Sequence, residues 1–201
     1  MQQVNHIVEN NESDRRLVNA VLSGDSAAFS TIIQNTQGLV MQIIFKMIEN
    51  REERKDIAQD VYLKAYSKLA GFRFQSKLST WIAQITYNTC LSSLEKKRLV
   101  LTGDLNPSTD DDAMFTDNQF ADHETEQLIR RREQQFILQT EVDKLPPLLR
   151  TLIVLFHQEQ LSYDEISAIT GLPAGTLKSY LFRARKALRT NLLAKYKKEE
   201  L

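Results

Sequence analysis

Residues 145–189 read LPPLLRTLIVLFHQEQLSYDEISAITGLPAGTLKSYLFRARKALR, and the punctuation inside this stretch decides the fold. Ser162 followed by Glu165 is a capping box, in which hydroxyl and carboxylate each satisfy an orphaned backbone N–H at a helix start. A short helix therefore begins near Tyr163 and buries Ile166 and Ile169. Gly171 suits the left-handed residue that ends it, and Pro173 suits the first turn of the next helix, where its missing N–H has no partner to lose. Leu177, Leu181, Ala184, Leu188 and Leu192 then recur at spacings of three and four, the stripe of a helix packed on one side. The opposite face presents Ser179, Phe182, Arg183 and Lys186, with Lys178, Arg185 and Arg189 on its shoulders. The result is a helix-turn-helix whose second helix suits the major groove of duplex DNA. Single cations on such a face are ordinary solvated residues. From Gly171 to Lys198, however, the chain holds Lys178, Arg183, Arg185, Lys186, Arg189, Lys195, Lys197 and Lys198 with no Asp or Glu, and charge of one sign over that length is an electrostatic footprint.

Outward from this motif, the chain of 201 residues has room for one domain or two small ones, and its 42% apolar and 26% charged residues permit an ordinary core. The formal charge is zero, but it arises from cancellation. Between Leu99 and Ile129 there is no Lys or Arg, while Asp104, Asp110, Asp111, Asp112, Asp117, Asp122, Glu124 and Glu126 fall there. Cys90 is the single cysteine, which excludes an intramolecular disulfide and reads as a small core residue. The N-terminus lacks the basic start and apolar run of a signal peptide. The runs Val40–Ile48 and Leu148–Phe156 fall well short of the ~20 residues that cross a bilayer, so a cytoplasmic protein is expected.

The fold class expected is all-α: two small helical domains joined by a flexible acidic linker. Leu17, Val18, Val21 and Leu22 precede a break at Ser23-Gly24-Asp25. Phe29, Ile32 and Ile33 mark a second helix, and Leu39–Ile48 a third apolar segment. A fourth element, Glu52–Leu69, turns Ile57, Ala58, Val61, Ala65 and Leu69 inward. After the loop GFRFQSK, a fifth helix runs from Ser79 to Leu94 with Trp81, Ile82, Ile85 and Leu94 as core. The boundaries expected are residues 14–98 for the first bundle, 99–125 for the linker and 126–196 for the helix-turn-helix domain.

Two places in the first bundle carry chemistry. Asp56, Gln59 and Asp60, spaced three and four apart, share one helix face, which is either a solvated face or a polar docking surface. In the loop, Phe72, Arg73, Phe74 and Lys77 interleave rings with cations, a pairing suited to unpaired bases, although the rings serve equally as core plugs.

Three segments together, SGDSAAF, DIAQDVYLKAY followed by FRFQSKLSTWIAQITYN, and LSYDEISAITGLPAGTLKSYLFRARKAL, resemble the sigma factors of bacterial RNA polymerase, of the extracytoplasmic-function type within the sigma-70 family. The resemblance spans about residues 18–98 and 126–193. It implies a subunit, not itself an enzyme, that binds core RNA polymerase through the clamp coiled coil of the largest subunit and the flap. Asp56, Gln59 and Asp60 take the clamp-docking positions. Phe72, Arg73, Gln75, Ser76, Lys77 and Asn88 take positions around captured, flipped bases of the minus-ten element, with Lys96, Lys97 and Arg98 at the upstream edge of the bubble and Trp81 as a structural ring. Lys178, Ser179, Phe182 and Arg183 face the minus-thirty-five element, with Arg185, Lys186 and Arg189 on phosphates. The resemblance further implies promoter DNA as partner, a linker that threads toward the RNA exit path, and an anti-sigma factor, membrane-bound in many relatives. No cofactor or metal is implied. With so little net charge, the isolated protein is expected to bind duplex DNA poorly. Three positions depart from the pattern. Ser167 stands where Ala is usual and Thr170 where an apolar residue is common, which predicts a modest stability cost. Phe74 stands where relatives often carry a small or polar residue, so the resemblance does not define the shape of the base pocket.

The competing reading is a conventional helix-turn-helix regulator with an N-terminal sensing or dimerisation bundle; it leaves DIAQDVYLKAY and FRFQSKLSTW without a role. A metal-dependent hydrolase built on Glu52, Glu53, Asp56 and Asp60 is disfavoured because His6, His123 and His157 are scattered and no His-Glu-x-x-His occurs.

Overall fold

A computed structural model describes the backbone of residues 2–101 and 126–196 and the side chains of 12–98 and 130–196. Within these residues every regular element is helical. The first unit comprises α1 (Gln2–Leu22), α2 (Ser26–Met47), α3 (Arg51–Lys68) and, after a single 3-10 turn at Leu69–Gly71, α4 (Leu78–Leu101). The second comprises α5 (Glu126–Asp143), α6 (Pro147–His157), α7 (Tyr163–Thr170) and α8 (Ala174–Lys195). Most of the acidic segment expected as a linker lies outside the described residues.

Side chains at the helix starts explain where the elements begin. Asp25 accepts from the N–H groups of Ala27 and Ala28 to open α2, and Asn50 accepts from those of Glu52 and Glu53 to open α3. Gly24, at φ +98°, makes the turn between α1 and α2. The break expected between Ile33 and Leu39 does not occur, and α2 runs through it. Gly38 lies on the exposed side of that helix, where its cost of about 1 kcal/mol against Ala is outweighed by burial of Ile32, Val40, Ile43 and Ile44. The polar Thr36 is tolerated in this core because its hydroxyl bonds back to Ile32 O at 2.7 Å and meets Tyr62 Oη at 3.2 Å. α4 likewise runs past Leu94, so Lys96, Lys97 and Arg98 sit on a helix.

The second unit follows local rules closely. Ser162 Oγ accepts from Glu165 N, and Glu165 Oε2 accepts from Ser162 N, completing the capping box. Gly171 sits at φ 72° and closes α7 with its N–H on Ser167 O. Pro173 is the residue before α8 rather than within its first turn. The two departures from the helix-turn-helix pattern are absorbed by hydrogen bonds. Ser167 Oγ donates to Leu172 O at 2.6 Å, and Thr170 Oγ1 donates to Ile166 O while accepting from Leu172 N. These bonds tie the turn and offset the stability cost expected of polar groups there. At the far end the buried Glu141 receives Lys144 at 2.7 Å and Lys195 at 3.1 Å. The Lys144 hydrogen bond, against burial and with Lys195 assisting, holds its carboxyl below the ordinary range.

The two units pack directly, α4 against α7 and α2 against α6. Three ion pairs cross the seam: Lys77–Glu165 at 2.8 Å, Lys46–Asp143 at 2.7 Å and Arg150–Glu49 at 3.7 Å. Each has at least one solvent-accessible partner, so each is worth about 0–1 kcal/mol. The buried residues of the two units also join in one apolar cluster, so parting them exposes apolar surface as well as breaking these ion pairs.

Cys90 is fully buried on α4, and burial, with the Glu53 carboxylate adding to it, pushes its thiol up to about 12. The native protein should leave this thiol unreactive toward an aromatic disulfide reagent at pH 8 and release one equivalent on denaturation. Rapid reaction of the folded protein would contradict the packing of α4.

Candidate nucleic-acid interface

The face of α8 opposite its buried stripe is built as the spacing requires. Leu177, Leu181, Ala184 and Leu188 are buried, and Lys178, Ser179, Phe182, Arg183, Arg185, Lys186 and Arg189 are exposed. Phe182 stands out with 67% of its surface open, an apolar ring among cations, suited to a thymine methyl or a sugar edge. Several cations are pre-oriented by aromatic neighbours: Arg183 lies 5.6 Å from the Tyr180 ring, Arg185 5.3 Å from Phe156, and Lys178 5.8 Å from Tyr163. Arg185 Nε also donates to His157 Nε2 at 3.2 Å, which requires that nitrogen unprotonated. This role for His157 leaves no local pattern, because the contact links α8 to the end of α6.

Before α4, the loop 72–77 turns its residues alternately. Phe72 is 8% exposed, its ring enclosed between Phe74 at 4.7 Å and Trp81 at 5.0 Å. Of the two readings open for this ring, the packing is that of a core plug. Arg73 and Gln75 are exposed, and Ser76 and Lys77 half-buried. Asn88 is exposed two helical turns beyond Trp81 on α4. The cations of this surface divide into two kinds. Arg73 and Lys96 stand in solvent, whereas Lys77 pairs with Glu165 and Lys97 with Glu53. Burial pushes the Glu53 carboxyl up, but Lys97 and the Ser93 hydroxyl, at 2.6 Å, outweigh it and leave the group below its usual range. The Lys77 pairing brings the loop against the helix-turn-helix, 88 positions away in the chain.

Asp56, Gln59 and Asp60 are all exposed on α3, while Ile57 and Val61 beside them are buried. The same face continues through the exposed Leu63, 62% open. Asp60 is joined to Lys64 at 2.7 Å one turn on, and the face is otherwise open. Within the described residues no group of three or more His, Cys, Asp or Glu is placed to hold a metal ion, and no helix is long and apolar enough to cross a membrane.

Residues 32–100 match the Sigma-70 region 2 family and residues 135–188 the Sigma-70, region 4 family. The RNA polymerase sigma-H factor of Pseudomonas aeruginosa is 34% identical over 183 residues, covering 88% of this chain and 92% of its own. The ECF RNA polymerase sigma-E factor of Escherichia coli K12 is 33% identical over 182 residues, covering 88% and 92%. SigW, an ECF RNA polymerase sigma factor of Bacillus subtilis, is 30% identical over 179 residues, covering 89% and 96%. Among solved structures, the sigma factor RpoE bound to the anti-sigma factor NepR from Bartonella quintana has a TM-score of 0.65 at 20% identity, over 84% of this chain and 98% of that one. CnrH bound to the cytosolic domain of CnrY has a TM-score of 0.60 at 19% identity, over 91% and 99%. These structures share the helical fold. The reading as a conventional regulator leaves the region 2 match without a place.

Burial, with the nearby Arg185 charge second, holds the His157 imidazole below its ordinary value. The unfolded chain therefore protonates first on acidification. The stability tied to neutral His157 is fully present above about 6.5 and is lost as pH falls through the lower folded value. His157→Gln, which retains an acceptor, should flatten the fall in urea midpoint between pH 7.5 and 5.5. An unchanged pH slope in the variant would remove His157 from this role.

Proposed function

The chain belongs to the sigma-70 family of RNA polymerase subunits, and from that premise we propose how its surfaces divide the work of initiation. It is a sigma factor of the extracytoplasmic-function type, directing RNA polymerase to specific promoters. In our reading residues 14–98 form the unit for core polymerase and the minus-ten element, residues 126–196 the unit for the minus-thirty-five element, and residues 99–125 the acidic connection. The observation that carries the assignment is the coincidence of an exposed acidic face on α3, a ring-and-cation loop before α4 and a carboxylate-free face on α8 in one chain.

Asp56, Gln59 and Asp60 dock on the clamp coiled coil of core polymerase, complementary charge fixing the register. Arg73, Gln75, Ser76, Lys77 and Asn88 surround the melted minus-ten strand, with Phe72 and Trp81 as the wall behind them, and Lys96, Lys97 and Arg98 hold phosphates upstream. Lys178, Ser179, Phe182 and Arg183 read the minus-thirty-five element, and Arg185, Lys186 and Arg189 grip its backbone. Opening draws on stacking and hydrogen bonding to exposed bases, with no bond chemistry in this subunit. The protein acts in the cytoplasm, where polymerase is, and an anti-sigma factor occupies the same helical units when the factor is held inactive.

Geometry then requires a rearrangement. Elements roughly 25 base pairs apart lie about 85 Å apart along B-form DNA, whereas α4 and α7 are in contact. The units must part, releasing Lys77 from Glu165. The isolated chain, with Lys77 paired internally and no net charge, binds duplex DNA poorly.

Run-off transcription with bacterial core polymerase, followed by mapping of start sites, tests this assignment; no transcript from any genomic template would contradict it. Reversal of Asp56 and Asp60 to Lys should weaken core retention by roughly tenfold or more without loss of helicity. Lys186→Ala should reduce the salt dependence of holoenzyme binding to a mapped promoter by about one counterion. A salt slope unchanged from wild type would take Lys186 off the phosphate backbone.

A further inference from the structure

Asp14 and Arg15, neighbours on α1, both reach the loop that precedes α4. Asp14 Oδ2 accepts from Leu78 N at 2.8 Å, across 64 positions of the chain. Leu78 is the first residue of α4, where N–H groups lack intrahelical partners. Lys77 before it has no acceptor in its side chain to supply the usual cap. The carboxylate of α1 does so instead, at the end of the helix dipole that favours negative charge.

Arg15 meanwhile stacks its guanidinium 4.5 Å from the centre of the Phe74 ring. Phe74 adopts φ 56°, a left-handed backbone that a bulky aromatic holds only when its surroundings impose it. The surroundings here are Arg15 on one side and Phe72 on the other, the latter in turn against Trp81. The series Arg15–Phe74–Phe72–Trp81, with the Asp14–Leu78 bond beside it, fixes both ends of the loop. Arg73 and Gln75, which alternate with the buried Phe72 and half-buried Phe74, are thereby turned outward.

We infer that Asp14 is a positioning residue for capture of the melted minus-ten strand, acting through the backbone of Leu78, with Arg15 acting through Phe74. This role rests on the proposed reading of the loop as the strand-capture site. A loop already ordered loses no conformational freedom when the strand arrives, so affinity falls when the ordering groups are removed even though neither touches DNA.

The test uses holoenzyme assembled from core polymerase and wild-type, Asp14→Ala, Asp14→Asn or Arg15→Ala protein. The probe is a fluorescein-labelled single-stranded oligonucleotide of the non-template strand, spanning the minus-ten segment of a start site mapped with the wild type. Asp14→Ala should weaken probe binding roughly tenfold, and Asp14→Asn, whose amide oxygen still accepts, should stay within about threefold of wild type. Affinity for core polymerase should be the same for all. Wild-type strength in both Asp14→Ala and Arg15→Ala, an Asp14→Asn as weak as Asp14→Ala, or a parallel loss of core binding overturns the positioning role. Should Asp14→Ala fail to fold, Arg15→Ala carries the same comparison alone. A wild-type holoenzyme that ignores the probe while still initiating transcription overturns the strand-capture reading itself.

Discussion

The Glu165 carboxylate is where local folding, the contact between units and the state of the nucleic-acid surface meet. One oxygen closes the capping box with Ser162 and so starts α7; the other holds Lys77 at 2.8 Å. Burial pushes this carboxyl up, but the Lys77 ammonium and the Ser162 hydrogen bonds outweigh it and leave it below its usual range. It therefore stays ionised at neutral pH in the closed arrangement. The cap itself lies wholly within residues 162–165 and does not depend on the contact with Lys77.

Segregated charge follows the same logic. The chain, neutral overall, carries Asp56 and Asp60 on α3 and a run of acidic residues between 104 and 126, and places no carboxylate on α8. Internal pairing of Lys77 and Lys97 is cheap to reverse because these ion pairs are partly exposed. On the exposed face of α8, Arg183 and Arg185 lie against rings rather than carboxylates.

How much was legible in the sequence depended on how far apart the interacting groups lie. The capping box, the left-handed Gly171 and the buried stripe of α8 are local, and they read directly from spacing. The unbroken α2 did not, because the cost of Gly38 is decided by a core assembled from other helices. The partners of Lys77 and Lys97 belong to other elements, so both residues read as open cations until the fold paired them. Ser167 and Thr170 read as small liabilities because a sequence shows a polar side chain but not the carbonyl it will meet. Phe74 was visible as an unusual residue, and the left-handed backbone supplies the reason: the position favours small or polar residues, and a ring persists there because Arg15 and Phe72 hold it. The Asp14 cap on Leu78 leaves no trace in any local pattern.

The central claim is that the two helical units, in contact in the free chain, separate to reach promoter elements too far apart for the closed form. Because Cys90 is inert in the folded protein, donor and acceptor dyes can be placed at Gln34→Cys and Ala194→Cys, both exposed and outside the proposed interfaces. Energy transfer between them should be high in the isolated chain and fall sharply once core polymerase and promoter DNA are bound. Transfer that stays unchanged in a promoter-bound, transcribing holoenzyme would contradict the account.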